Sequence, residues 1–314
     1  MFKTYIKNKP NEDISILIKP DNHSWNYLCE CGEASDLTVR EIQNCNAIFI
    51  SHTHIDHFVN FDAIIRHQLG IQRTITICGP MHIAKQVQNR IVSYSWNLIE
   101  ENSICYRIKE MINDNEIITY ELKPPLWELK TISTENSKIL FKEDKFQVTG
   151  VLLDHKIPTL SYLFKEYSQT KIDLGKDFKG GIWVKDLKEA FNLNDHDRQL
   201  KVGGKIYRAG ELFNLLHIQE GDSVGIIMDH GATFDNHKKI KNHFDAVNKV
   251  FIECFYQNKD AEFATLNYHS YANKSGLIMK NANVKDAIPV HFSRKYNEEE
   301  IEALISEFFQ VYKS

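Results

Sequence analysis

The segment Ser51-His52-Thr53-His54-Ile55-Asp56-His57 follows directly on an apolar run, Ala47-Ile48-Phe49-Ile50. A short run of this kind reads as a buried strand. The chain therefore leaves a sheet carrying three histidines and one aspartate within six positions. In extended backbone alternate side chains share a face, so His52 and His54 point the same way and can grip one cation. The turn then brings Asp56 and His57 round to a second position. Imidazole and carboxylate together suit zinc, and also manganese or iron. Four donors cannot complete two metal sites, so the chain must supply others from a distance.

Three positions stand in the same setting, each directly after an apolar strand. His155 follows Val-Leu-Leu-Asp, Asp229 follows Gly-Ile-Ile-Met, and His291 follows Ala-Ile-Pro-Val. Other histidines, such as His67, His237 and His243, fall in loops or on helical stretches. Solvated or packing roles are expected for them.

The rest of the chain alternates strands and helices. Strands are expected over 14–18, 27–31, 47–51, 74–78, 138–141, 146–151, 223–228, 249–253 and 287–290. Helices are expected over 37–43, 62–68, 82–96, 272–282 and 298–312. Cys29-Glu30-Cys31, read as strand, would put both thiols on one face. Residues 165–205 differ in composition, with many lysines and aspartates and the glycines Gly175, Gly180 and Gly181. They read as an arm-like insertion protruding from a single domain that spans 1–314. Strands paired with helices in two successive halves suggest an α/β sandwich of sheets covered by helices.

Bulk properties narrow the function. The net charge of −4 gives no global basic field of the kind that advertises nucleic-acid binding. No apolar stretch reaches 18 residues and none near the N-terminus resembles a signal peptide, so neither membrane nor export is expected. Six scattered cysteines with no paired C-x-x-C spacing point to a reducing, cytoplasmic setting.

The His turn matches the H-x-H-x-D-H signature of the metallo-β-lactamase superfamily. Within it the chain resembles ribonuclease Z, the endonucleases that trim tRNA 3′ ends. Glu30-Cys31-Gly32-Glu33-Ala34 is similar to that family's D-C-G-E-G-T, and Cys78-Gly79-Pro80 to its Y-G-P. The stretch 153–158 followed by Tyr162 is similar to its third metal motif. His269-Ser270-Tyr271-Ala272 and His291-Phe292-Ser293-Arg294-Lys295-Tyr296 are similar to its H-S-T-A and H-F-S-x-R-Y.

The resemblance implies a four-layer αββα sandwich and two divalent ions, zinc being the usual choice. One ion would be held by His52, His54, His155 and Asp229. The other would be held by Asp56, His57 and His291, with Asp229 bridging. It further implies that Asp56 handles the attacking water and that His269, steadied by Glu253, donates a proton to the leaving 3′-oxygen. Ser293 and Lys295 would sit near the scissile phosphate. The expected activity is a phosphodiesterase using metal-activated hydroxide, on precursor tRNA. Relatives commonly form homodimers, and this chain carries no dimer signature of its own. A cyclic-nucleotide phosphodiesterase is the alternative, and a non-catalytic RNA-binding relative a third reading. Ser270 has an alternative role too, as the cap of the helix that follows.

The chain also departs from the pattern. The glycine-rich N-terminal turn is absent, His230 stands where threonine is usual, and Lys295 replaces arginine. The glycine-proline motif of the family's tRNA-binding arm is not reproduced in 165–205.

Overall fold

Short apolar strands from both halves of the chain assemble into two sheets, described for residues 1–314 by a computed structural model. The first sheet has eight strands in sequence order. These are β1 (Phe2–Ile6), β2 (Ile16–Pro20), β3 (Asn26–Cys29), β4 (Cys45–Phe49), β5 (Thr74–Pro80), β6 (Cys105–Asn113), β7 (Glu116–Leu122) and β8 (Lys130–Asn136). Strands β3 to β6 run parallel, and the pairs at either edge are antiparallel. The helices α1 (Val39–Gln43), α2 (Ile55–Phe58), α3 (Phe61–Gln68) and α4 (Ile83–Val92) fill the crossovers.

The second sheet begins with β9 (Ile139–Lys142), β10 (Phe146–Asp154) and β11 (Pro158–Glu166). The chain then passes through residues Glu166–Gly221, which form a separate compact unit. That unit holds β12 (Gln169–Ile172), α5 (Trp183–Asn192), β13 (Gln199–Val202), β14 (Lys205–Arg208), α6 (Ala209–Leu212) and β15 (Leu216–Gln219). Trp183, Leu187, Leu200 and Leu212 form its own small core. The chain re-enters the second sheet with β16 (Ser223–Ile227), β17 (Lys249–Glu253) and β18 (Asp286–Val290), all parallel. The helices of this half are α7 (Phe234–His243), α8 (Ala261–Asn267), α9 (Ala272–Asn281) and α10 (Glu298–Tyr312).

Three apolar clusters define the layers. Phe49, Tyr27, Phe146, Tyr162 and Phe251 fill the space between the sheets. Ile48, Ile77, Phe61, Ile64 and Val87 join the first sheet to α3 and α4. Ile227, Ile252, Ile278, Leu304 and Phe308 join the second sheet to α9 and α10. This is a four-layer αββα sandwich. No helix is long and apolar enough to cross a membrane.

Several local expectations need correction. Cys29 and Cys31 lie in different clusters, one between the sheets and one under the helices. Glu30 between them has φ 65°, which ends β3 and cancels the strand alternation. The helix expected over 82–96 stops at Val92, and the Trp96 indole N–H donates to the Ile91 carbonyl at 2.7 Å. That bond satisfies a carbonyl at the helix end and turns the chain away. Ser270 does not cap α9. Its hydroxyl pairs with that of Ser275 at 2.7 Å, and the N-cap residue Tyr271 makes no side-chain cap.

Candidate metal centre

The site forms where strand ends meet. His52 follows β4 by a short loop, Asp229 follows β16, Glu253 ends β17, and His291 follows β18. Because β16, β17 and β18 are parallel, their C-terminal ends lie side by side. Grooves outside such ends are where ligands bind in parallel sheets. His155 sits in the turn between β10 and β11. Buried Asn236 braces that turn against the Asp229 loop. Its amide donates to the Asp154 and Gly231 carbonyls at 2.8 Å each, and its oxygen accepts from the Asp154 N–H at 2.9 Å.

His52, His54, His155 and Asp229 form one group whose donor atoms lie within 4.8 Å of one another. Asp56, His57, Asp229 and His291 form a second, and Asp229 belongs to both. Within the first group, His52 Nε2 and His155 Nε2 stand 3.6 and 3.5 Å from Asp229 Oδ2. Within the second, His57 Nε2 stands 3.3 Å from Asp229 Oδ1, and His291 Nε2 stands 3.3 Å from Asp56 Oδ2. Ligands about 2.1 Å from a tetrahedral ion are themselves about 3.4 Å apart. The spacing therefore fits two cations sharing one carboxylate.

Unmet bonding capacity points the same way. Buried His52 Nε2 and His57 Nε2 have no hydrogen-bond partner, while Asp229 Oδ1 has only the imidazoles themselves beside it, with His291 Nδ1 at 2.9 Å. A buried polar atom left unpaired is costly, and a cation is what this set of lone pairs could share. His54 is exposed and Asp56 half-buried, so they mark the open side.

Glu30 was not singled out by the sequence, yet it organises the first turn. It is fully buried; Oε1 accepts from the Ser51 N–H at 2.9 Å, and Oε2 accepts from the Ser51 hydroxyl at 3.0 Å. Oε2 also lies 2.9 Å from His57 Nδ1, and Ser51 Oγ lies 3.0 Å from His52 Nδ1. One carboxylate thus holds the far nitrogen of a histidine from each group, directly or through Ser51. Each Nε2 is left as a lone pair facing the site, the arrangement that orients metal-binding imidazoles. His155 is fixed in the same manner, its Nδ1–H donating to the Tyr268 carbonyl at 2.6 Å. The only signal in the sequence was the acidic residue ahead of Cys31-Gly32.

Without a cation, protons do the balancing. Burial opposes charge on His57 and His291, but Asp229 and its neighbours outweigh it and raise both, His291 to about 10. Burial also opposes charge on Asp229, and His291 and His57 hold its carboxyl well below the usual range. His52, buried and next to other imidazoles, is pushed well below its ordinary value.

Beside this cluster, His269 Nδ1 is bound to Glu253 Oε1 and lies 3.9 Å from Asp229 Oδ2. Burial resists ionisation of Glu253, but His269 lowers it to about 2. Phe255 stacks on the His269 ring at 4.0 Å and 7°. Four non-glycine residues at the site have left-handed backbone: Glu30, Lys156, Tyr268 and His291. Such conformations are uncommon and cluster at functional sites. Ser293 is buried behind His291, with its N–H donating to the Phe255 carbonyl at 3.1 Å. Lys295 is paired with Asp260, at 2.9 Å.

No protein-family model matches the chain. Among solved structures, the metallo-β-lactamase fold protein YhfI from Bacillus subtilis superposes with a TM-score of 0.59 at 12% identity. It covers all of this chain and 94% of its own. The short form of human tRNase Z gives 0.54 at 15% identity, over 90% of this chain and 86% of its own. The chain has the metallo-β-lactamase fold. In sequence it is similar to proteins called ribonuclease Z. The one from Deinococcus radiodurans is 23% identical over 95% of this chain and 92% of its own length. The one from Borreliella burgdorferi is 26% identical over 93% of this chain and 84% of its own. On the metallo-β-lactamase fold, the His turn is the loop after β4, and the other donors come from the ends of β10, β16 and β18.

Proposed function

We propose that the protein is a metal-dependent phosphodiesterase of the ribonuclease Z kind, acting on an RNA 3′ end such as that of precursor tRNA. The observation that carries this reading is the double group of donors around Asp229, with the His269–Glu253 pair at its edge. His52, His54, His155 and Asp229 would hold one divalent ion, and Asp56, His57, His291 and Asp229 the other. Zinc suits the donors, as do manganese and iron. Bound there, the metal supplies Lewis acidity towards the phosphate and lowers the pKa of water.

The chain's own groups do the rest. Asp56, on the open side, accepts a proton from the attacking water or orients it. Glu253 holds Nδ1 of His269, which leaves Nε2 to protonate the leaving 3′-oxygen. General acid catalysis of this kind is typically worth ~10²–10⁴-fold. Phe255 keeps the His269 ring in one plane. Ser293 and Lys295 belong to the loop after β18 that borders the site.

A second reading, a phosphodiesterase for a small phosphodiester such as a cyclic nucleotide, is favoured by one observation. The unit 166–221 carries equal numbers of acidic and basic side chains, so it offers RNA no net positive charge. Purified protein should be assayed with precursor tRNA, bis-p-nitrophenyl phosphate and cyclic nucleotides, each with and without chelator. Chelator-sensitive cleavage of precursor tRNA at the 3′ side is expected. Turnover of the small esters alone would establish the second reading instead, and turnover that survives chelator would overturn both.

A further inference from the structure

The resemblance would place Lys295 beside the scissile phosphate, but its ammonium is occupied. It lies 2.9 Å from Asp260 Oδ2 and over three rings: Tyr296 at 4.8 Å, Tyr256 at 4.9 Å and Phe263 at 5.4 Å. The Tyr296 hydroxyl donates to the same carboxylate oxygen and accepts from the Gln257 N–H at 3.0 Å. Asp260 is thus gripped by two consecutive residues of the loop that carries His291. A compact ammonium suits the space above several aromatic faces.

Asp260 is also the residue from which α8 starts. This helix has seven residues, of which only Ala264 is buried. So short a helix is not stable alone, and its position has to be set by what holds its ends. Its far end matters to the site. Tyr268, in left-handed conformation, offers the carbonyl that fixes the His155 ring, and the His269 N–H donates to the Ala264 carbonyl at 3.0 Å. Displacing α8 would therefore move a metal-holding histidine and the proposed proton donor together.

We infer that Lys295 is a positioning residue: with Asp260 it latches α8 to the loop after β18, and so sets His155 and His269. This rests on the proposed role of His269 for its catalytic consequence, though not for the latch itself. Two variants, Lys295→Met and Asp260→Asn, separate a latch from a phosphate contact. A partly exposed pair backed by aromatic faces suggests an effect of roughly fivefold. With metal-loaded protein and bis-p-nitrophenyl phosphate, each variant should lower kcat by about that factor with KM little changed. The double variant should be no worse than either alone.

Amide hydrogen exchange over residues 261–269 should speed up in both variants. If Lys295→Met instead raises KM while Asp260→Asn leaves kcat and KM alone, Lys295 contacts phosphate and the latch is overturned. Unchanged exchange over 261–269 in both variants overturns it as well. Should the parent protein hydrolyse no phosphodiester, the functional reading falls, while the exchange measurement still decides the latch.

Discussion

At the residue scale, the centre depends on groups that touch no cation. Glu30 fixes His57 directly and His52 through Ser51. Its replacement by glutamine removes the charge that orders both hydrogen bonds, and carboxyl partners of this kind are worth about 10–100-fold in metal affinity. Glu30→Gln is expected to weaken divalent-metal binding by such a factor, read by competition with a chromogenic chelator; affinity equal to the parent's would refute the role. His243, remote from the centre, gives a pH signature. Burial pushes it down to about 4, with Lys138 adding and Asp114 opposing. Its neutral form is favoured by folding, so its contribution is complete above pH 6.5 and is lost as pH falls towards 4. Relative to a His243→Gln variant, the parent should lose on the order of 3 kcal/mol between pH 7 and pH 4. Urea unfolding at the two pH values measures this, and parallel losses in both proteins would count against it.

At the scale of elements, the closing helix pair depends on one glycine. A Cβ on Gly276 in α9 would stand 2.5 Å from the Phe308 carbonyl oxygen in α10, a backbone atom that cannot swing aside. Gly276→Ala should cost about 2 kcal/mol through forced separation of the helices, seen as a lower urea midpoint. A midpoint at or above the parent's would show that the helices separate at little cost. The sequence foretold α10 to the residue from its amphipathic period, and the structure adds a capping box of Asn297 with Glu300 at its start. It missed β1, whose alternation is short and mostly exposed, and the two strand pairs of the unit 166–221, β12 with β15 and the hairpin β13–β14. Those strands have four residues each and carry little apolar signal.

At the scale of the whole molecule, the unit 166–221 is inserted between two strands that pair with each other. Lys165 on β11 lies opposite Ser223 on β16. A tight turn in place of the unit should therefore leave both sheets intact. We expect the shortened protein to turn over bis-p-nitrophenyl phosphate like the parent, and to lose cleavage of precursor tRNA by at least tenfold if the unit binds RNA. Equal activity on both substrates would assign the unit no part in RNA binding.

The sequence alone picked out the candidate donors that the fold brings together, because each lies at or just beyond the end of an apolar run and strand ends are where a sheet can project polar side chains into a pocket. His52, His54, Asp56 and His57 were legible as a local pattern, and His155, Asp229 and His291 as strand-end positions. Their grouping around Asp229 came only from the family resemblance, since strand context by itself carries no mutual placement. That Asp229 lies between both groups follows from the parallel registry of β16, β17 and β18, which no local pattern encodes. Glu30 and Lys295 show the same division. Glu30 became a brace because a left-handed turn aims its carboxylate at the His turn. Lys295 meets an aspartate 35 positions earlier in the chain. Charge type is written in the sequence; which partner a charge meets is decided only when the chain is folded.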